Sequence, residues 1–233
     1  MALILDNLLF REGAFTLRAH WQLEAQARVA LIGPSGAGKS TLLALIGGFL
    51  QPHSGRLLWR GADITATTPS QRPVATLFQE GNLFPHLTAY ENAALAVNTR
   101  LKLSAVEKRR VLEALERVGL AGFEARKPAQ LSGGQASRAA LARALCQDKP
   151  LLLLDEPFAA LGPAMRGEML DLLTEIASEH RRAVLMVSHD PSDALRFAQA
   201  VSLVAQGVAA PPEETKALFA KPPAALSAYL GHD

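Results

Sequence analysis

The sequence has one cysteine, Cys146, in 233 residues. That excludes an intramolecular disulfide framework and leaves no cysteine cluster for a structural zinc site. It also lacks any run approaching the ~18 apolar residues that a membrane-spanning helix needs. The greasiest late segment, residues 197–210, is broken by Gln199, Ser202, Gln206 and Gly207. Residues 1–10 show no basic stretch followed by a long apolar one, which argues against export. Charge of one sign is not in excess either: 24 Lys plus Arg stand against 22 Asp plus Glu, a formal net charge of +2. Basic residues cluster only at Lys108-Arg109-Arg110 and Arg181-Arg182, too little for a nucleic-acid footprint. With 49% hydrophobic and 20% charged residues, disorder is excluded as well. The expectation is a soluble cytoplasmic chain without a transmembrane segment. Its length allows one large domain burying roughly 70% of its unfolded surface.

Short apolar runs alternate with longer amphipathic ones, as in an α/β domain. Residues 29–32, 74–78, 151–154, 183–187 and 201–204 read as strands, and their unbroken aliphatic character suits a parallel sheet covered on both faces. Residues 3–23 read instead as antiparallel strands with a turn at Arg11-Glu12-Gly13. From about Asn82 to Gln147 the pattern is helical. Capping boxes at Thr88/Glu91 and Ser104/Glu107 mark two helix starts there. The second helix carries a stripe of Val111, Leu112, Leu115 and Val118, with Gly119 at its C-cap. Asp190-Pro191 marks a third start, with Asp as N-cap and Pro at N1. Leu170, Leu173 and Ile176 read as the core face of a later helix, and the segment from Pro211 as ending in a short helix. The expected architecture is an α/β P-loop NTPase sheet with an N-terminal antiparallel β subdomain and an inserted α-helical subdomain. It divides as a core of residues 1–81 and 148–233 and an insertion of residues 82–147.

Gly33-Pro34-Ser35-Gly36-Ala37-Gly38-Lys39-Ser40 follows one of these strands, opens a helix through Thr41, and matches G-x-x-x-x-G-K-[ST]. Glycines at such spacing let backbone N–H groups converge on phosphate oxygens at a helix N-terminus. Lys39 would neutralise the β- and γ-phosphates, and the Ser40 hydroxyl would ligate magnesium. The strand at residues 151–154 ends in Asp155 and Glu156. An Asp there holds Mg2+ near the loop, and the next carboxylate reaches an attacking water as general base. Leu131-Ser132-Gly133-Gly134-Gln135 opens an Ala-rich helix and supplies a second phosphate cradle. Two cradles on one triphosphate make sense only if two chains face each other.

In these residues, and over nearly its whole length, the chain resembles the ATP-binding subunits of bacterial ABC transporters, with residues 131–135 standing as their signature sequence. The resemblance implies an ABC-ATPase fold and ATP sandwiched between the P-loop of one copy and Ser132, Gly133, Gly134 and Gln135 of a second copy bound head to tail. It implies that Gln79 touches magnesium and relays to the membrane subunit, and that His189 contacts the γ-phosphate beside the base Glu156. Phe10 is similar in placement to the aromatic that stacks on adenine; Phe15 and Trp21 compete with it. The implied metal ligands are Ser40, Gln79 and Asp155. Two departures stand out. Gly162, in Ala159-Ala160-Leu161-Gly162-Pro163, occupies the usual place of an Asp, and Ala136-Ser137-Arg138 lacks the polar pair common after the signature.

Asn82-Leu83-Phe84-Pro85-His86-Leu87 is apolar for a loop, and the resemblance implies that it borders the groove that accepts a cytoplasmic helix of the permease. Cys146 reads as a core residue on the signature helix. A separate, short ATPase chain without fused membrane helices is typical of importers. Length, Leu77-Phe78-Gln79-Glu80-Gly81-Asn82-Leu83-Phe84 and Leu185-Met186-Val187-Ser188-His189 are most similar to thiamine importer ATPase subunits. The chain stops soon after the core, near Leu230, leaving no room for a C-terminal regulatory domain. The expectation is therefore an ATPase on the cytoplasmic face of the inner membrane, powering import of thiamine or its phosphate esters. Its partners would be a second copy, a permease and, indirectly, a solute-binding protein, with no nucleic acid. An importer for another small solute, or a soluble ABC ATPase acting on ribosomes or DNA, are the alternatives. The latter usually has two cassettes or long coiled-coil insertions, which this chain lacks, and the signature argues against a P-loop kinase.

Overall fold

A computed structural model describes residues 2–79 and 83–231. In chain order the strands are β1 (Leu3–Glu12), β2 (Phe15–Leu23), β3 (Arg28–Ile32), β4 (Ser54–Trp59), β5 (Ala62–Asp63), β6 (Val74–Leu77), β7 (Leu151–Asp155), β8 (Ala183–Val187), β9 (Ala200–Ala205), β10 (Val208–Ala209) and β11 (Glu213–Glu214). The helices are α1 (Lys39–Gly47), α2 (Ala89–Ala94), α3 (Ala105–Arg117), α4 (Gly133–Cys146), α5 (Pro163–Glu179), α6 (Pro191–Phe197), α7 (Thr215–Ala220) and α8 (Ala224–Leu230). Among the described residues from 83 to 147 there is no strand.

The strands form one sheet in the order β5-β4-β1-β2-β10-β9-β3-β8-β7-β6, with β11 paired to β9. One half, β9-β3-β8-β7-β6, is parallel, and β1, β2, β4 and β5 pair antiparallel. β10 joins the halves, parallel to β2 and antiparallel to β9.

The continuous aliphatic strands are buried on both faces. On β7, Leu151 and Leu153 point into one core cluster and Leu152 and Leu154 into another; on β8, Ala183, Leu185 and Val187 oppose Val184 and Met186 in the same way. This period-two division between two cores is what a sandwiched parallel sheet requires. On β3, Val29 and Leu31 face α1, while Ala30 and Ile32 face a third cluster built with α6, α7 and α8.

Both capping boxes form. Thr88 Oγ1 accepts from Glu91 N, and Ser104 Oγ from Glu107 N, with each Glu carboxylate accepting in return. Asp190 caps α6 through the Ser192 amide. Val111, Leu115 and Val118 are fully buried on α3, but Leu112 is 45% exposed. At 100° per residue Leu112 lies on the flank of the stripe that the other three define. Three boundaries also differ from expectation. The β1–β2 turn is Gly13-Ala14, because Arg11 and Glu12 still pair with Thr16 and Phe15. Phe78 lies beyond the end of β6, and the C-terminal segment forms two short helices rather than one.

Arg72, fully buried, was not foreseen. Its guanidinium donates to Leu45 O (2.6 Å) and Ile46 O (2.7 Å) at the end of α1, and to Thr65 O (2.8 Å) and Thr67 O (3.3 Å). The cation satisfies carbonyls at the negative end of the helix that carries Lys39. Gly48, at φ 83, lies so close that a Cβ there would come within 2.6 Å of Arg72 Nε.

Candidate active site

Residues 33–38 bridge β3 and α1. Gly33, Gly36 and Gly38 have φ values of 143, 73 and 106. A Cβ on Gly33 would strike the Val204 carbonyl, and one on Gly38 the ring of Phe15, so two of these glycines are required by space as well as by conformation. Lys39, 8% exposed, donates to Gly33 O (2.7 Å) and Pro34 O (2.8 Å). An ammonium has three protons, so one donor remains for a ligand. Burial lowers its pKa from the usual lysine value, opposed by the charges of Glu156 and Asp155.

Asp155 ends β7 and is 7% exposed. Burial raises its pKa, an effect countered by a hydrogen bond to Ser40. Its Oδ1 is buried and has no hydrogen-bond partner. A buried carboxylate oxygen without a donor, beside a serine hydroxyl at the foot of a phosphate loop, fits the protein's share of a magnesium shell. Among the described residues no group of three or more His, Cys, Asp or Glu gathers, so the remaining ligands would come from phosphate and water.

Glu156 has φ 46, a left-handed conformation that side chains other than Gly seldom adopt. Its N–H donates to Val187 O (3.1 Å) at the end of β8, tying its loop to the segment that carries His189. The side chains meet: His189 Nδ1 lies 3.4 Å from Glu156 Oε2. Gln79, exposed just after β6, completes the rim. Ser35, Gly36, Lys39, Ser40, Thr41, Gln79, Glu156 and His189 line one cleft of about 480 Å³, a volume suited to a small ligand.

Other expected residues lie elsewhere. Phe10 does not line the cleft; it is 6% exposed in the core, its ring edge-on to Phe15 (6.5 Å) and His53 (5.9 Å). The expectation for Phe10 is corrected in favour of Phe15, which lies against Gly38 at the cleft wall. Trp21, 6% exposed, is also a core residue. Ser132, Gly133, Gly134 and Gln135 are at the N-terminus of α4, outside this cleft. Ser132 Oγ accepts from Gln135 N (3.2 Å), and Gln135 Oε1 accepts from Ser132 N (2.9 Å). Gln135 is thus engaged in the capping box, while the Ser132 hydroxyl keeps a proton to donate. Gly134 has a packing reason: a Cβ would lie 2.7 Å from Leu161. Two residues of the cleft, Glu12 and Tyr229, carried no sequence signal, since neither belongs to a motif.

Both departures find a setting. Arg138 donates to Val118 O (3.0 Å) and Gly119 O (2.9 Å), bracing the C-terminal end of α3. Ser137 Oγ donates to Gly133 O (3.1 Å). Gly162 is the N-cap of α5, extended at φ −67 and ψ 160, with no side-chain cap and nothing within 4 Å of a built Cβ. Gly162→Asp therefore introduces no strain and adds a capping oxygen. The expected gain is about 0.3 kcal/mol, or a Tm higher by about 1 °C; a Tm that falls on a thermal melt contradicts it.

Asn82 lies outside the described residues. Leu83 packs against the helical core, whereas Phe84 is 46% exposed and lines a shallow groove with Leu87, Leu95, Leu101 and Arg143. The fully buried Asn92 side chain shapes this loop, accepting from Phe84 N (2.7 Å) and donating to Phe84 O, Leu87 O and Thr88 O. Cys146 is buried, and burial pushes its thiol up to about 11.

The family model for ABC transporters matches residues 17–159. The chain is 59% identical to the thiamine import ATP-binding protein ThiQ of Cereibacter sphaeroides, over 97% of this chain and 98% of that protein. It is 58% identical to the protein of the same name from a Ruegeria species, with the same coverage. Among solved structures, the dimeric post-hydrolysis state of the ATP-binding cassette MJ0796 bound to ADP and Pi superposes with a TM-score of 0.82 at 31% identity, covering 91% of this chain and 98% of that one. The chain belongs to the ABC transporter family, as one of its ATP-binding subunits, an ATPase coupled to transport.

Proposed function

We propose that this ATPase powers the import of thiamine or its phosphate esters through a separate permease, working as a head-to-tail pair of copies. The observation that carries the hydrolytic reading is the convergence of the phosphate loop, Glu156 and His189 on one cleft, with the buried Asp155 hydrogen-bonded to Ser40 of that cleft. The exposed helix start at Ser132 supports the pairing, since its backbone amides, suited to phosphate, do not line the chain's own cleft. MJ0796 is a dimeric cassette, which supports the same arrangement here. The thiamine assignment rests on the names of the relatives at 58–59% identity.

In the mechanism, loop amides and Lys39 hold the β- and γ-phosphates, and Phe15, in place of Phe10, offers its ring to the base. Glu156 takes the proton of a water attacking γ-phosphorus in line, and His189 stabilises the charge that develops on the γ-oxygens. Ser40 and Asp155, with Gln79 at the rim, would hold magnesium, which would supply charge neutralisation on the phosphates. Ser132, Gly133, Gly134 and Gln135 of one copy close over ATP in its partner. Residues from about 1–81 and 148–233 form the nucleotide-binding core and those from about 82–147 the helical subdomain with the signature, and the groove beside Phe84 receives the permease helix. Among the described residues no helix is long and apolar enough to cross a membrane. In this reading the subunit acts peripherally, on the cytoplasmic face, through its permease.

The test is uptake of labelled thiamine, and separately its diphosphate, by source cells carrying the parent chain or Lys39→Ala. Saturable uptake is expected to vanish in the variant while the protein persists. Unchanged uptake of both would send the search to another small solute.

A further inference from the structure

Tyr229 reaches the cleft from α8, an element to which neither a motif nor the mechanism gives a role. Its hydroxyl donates to the backbone carbonyl of His189 at 2.6 Å. The neighbours of His189 are fixed independently. Ser188 Oγ donates to the buried Asp193 carboxylate at 2.6 Å, and Asp190 accepts from Arg166 on α5 at 2.8 Å and from the Ser192 amide. His189 itself sits between these anchors with a half-exposed imidazole, in contact with Glu156 at 3.4 Å. Tyr229 is thus a brace on His189's own peptide. The brace is rooted: Leu226 of α8 is fully buried in the cluster with Ala30 and Ile32 of β3 and Ala194 of α6, and Tyr229 packs against that cluster.

We infer that Tyr229 is a positioning residue, setting the orientation of His189 against Glu156 and so making α8 part of the hydrolytic machinery. The inference rests on the reading of Glu156 and His189 as the hydrolytic pair. The His189 carbonyl and imidazole branch from one Cα on the short segment joining β8 to α6, so the position of that peptide sets the origin from which the side chain extends. A donor that pins the carbonyl therefore limits where the imidazole can lie. Partial burial and the negative charges of Asp190 and Glu156 raise the phenol's pKa further above neutrality.

The test is Tyr229→Phe in the full chain, which keeps the ring and its packing and removes only the donor. ATP turnover is measured over a range of ATP and protein concentrations, with Tm and the imidazole NMR signals of histidine-labelled protein recorded alongside. The expected result is a kcat lower by about fivefold, KM for ATP and Tm unchanged, and a shifted or broadened His189 signal. A kcat within about 1.5-fold of the parent, a change confined to KM, or a loss of kcat that tracks a lower Tm would overturn the inference. Glu156→Gln run in parallel separates the two readings. If that variant turns over normally, the assignment of the hydrolytic pair fails; if it is inactive and Tyr229→Phe is normal, only the role of Tyr229 fails.

Discussion

Glu156→Gln is expected to lower ATP turnover by about 100-fold or more while leaving ATP binding intact, and to accumulate the ATP-bound pair of chains. The side chain keeps its size and its reach to His189, so the cleft should not collapse; what is lost is the ability to accept a proton from water. The backbone is also spared, because the left-handed φ of 46 at this position and the N–H bond to Val187 O do not depend on the carboxylate. In the proposed function the phosphate loop, Lys39 and Ser40 hold the nucleotide, and the change leaves them untouched. The measurements are steady-state phosphate release and size-exclusion chromatography with ATP and magnesium. Normal turnover would remove Glu156 from the base role, and loss of ATP binding would show that its charge matters to the ground state instead.

Arg72→Met is expected to destabilise the fold by about 3 kcal/mol, because carbonyls at the end of α1 and of Thr65 and Thr67 lose their donors inside the protein. For a chain of this size that corresponds to a Tm lower by about 6–12 °C. Methionine preserves much of the volume, so packing loss is minor and the measured change reports on the hydrogen bonds. Lysine should rescue only in part, since one ammonium cannot reproduce a planar fork that serves four carbonyls. A weaker ATP affinity should accompany the change, as α1 begins at Lys39 and its far end would be loosened. Thermal and urea unfolding check the first claim and nucleotide titration the second. An unchanged Tm would mean that water takes over the carbonyls without cost.

What could be read without a structure was what short-range chemistry dictates. Gly33 through Ser40 announces a phosphate loop because glycine spacing, a preceding aliphatic strand and a following helix are local properties of the chain. Leu151 to Glu156 and the segment ending at His189 are legible for the same reason: a buried strand in a parallel sheet must deliver its next residues to the sheet's carboxyl edge. The capping boxes at Thr88 and Ser104 formed because their partners lie three residues away. The signature was legible as the start of a helix, because Ser132 and Gln135 form its capping box three residues apart.

The misplaced or missed residues are those whose surroundings come from far along the chain. Phe10 and Phe15 are both aromatic residues beside one turn, and only the packing of β1 and β2 over α1 decides that Phe10 enters the core while Phe15 reaches Gly38. Leu112 could be counted into its stripe because sequence spacing does not say how wide a face the neighbouring helices cover. Arg72 looks like any surface arginine until Leu45 and Ile46, 27 and 26 positions earlier, are brought beside it. Tyr229 and His189, 40 positions apart, share a hydrogen bond only because α8 packs under β3 and α6. The sequence by itself therefore determined the elements, the sheet class and the reactive groups, since these follow from periodicity, capping and motif spacing. The tertiary structure decided which ring, which cation and which hydroxyl stand against those groups, because contact across a fold depends on packing between segments that the chain order keeps apart.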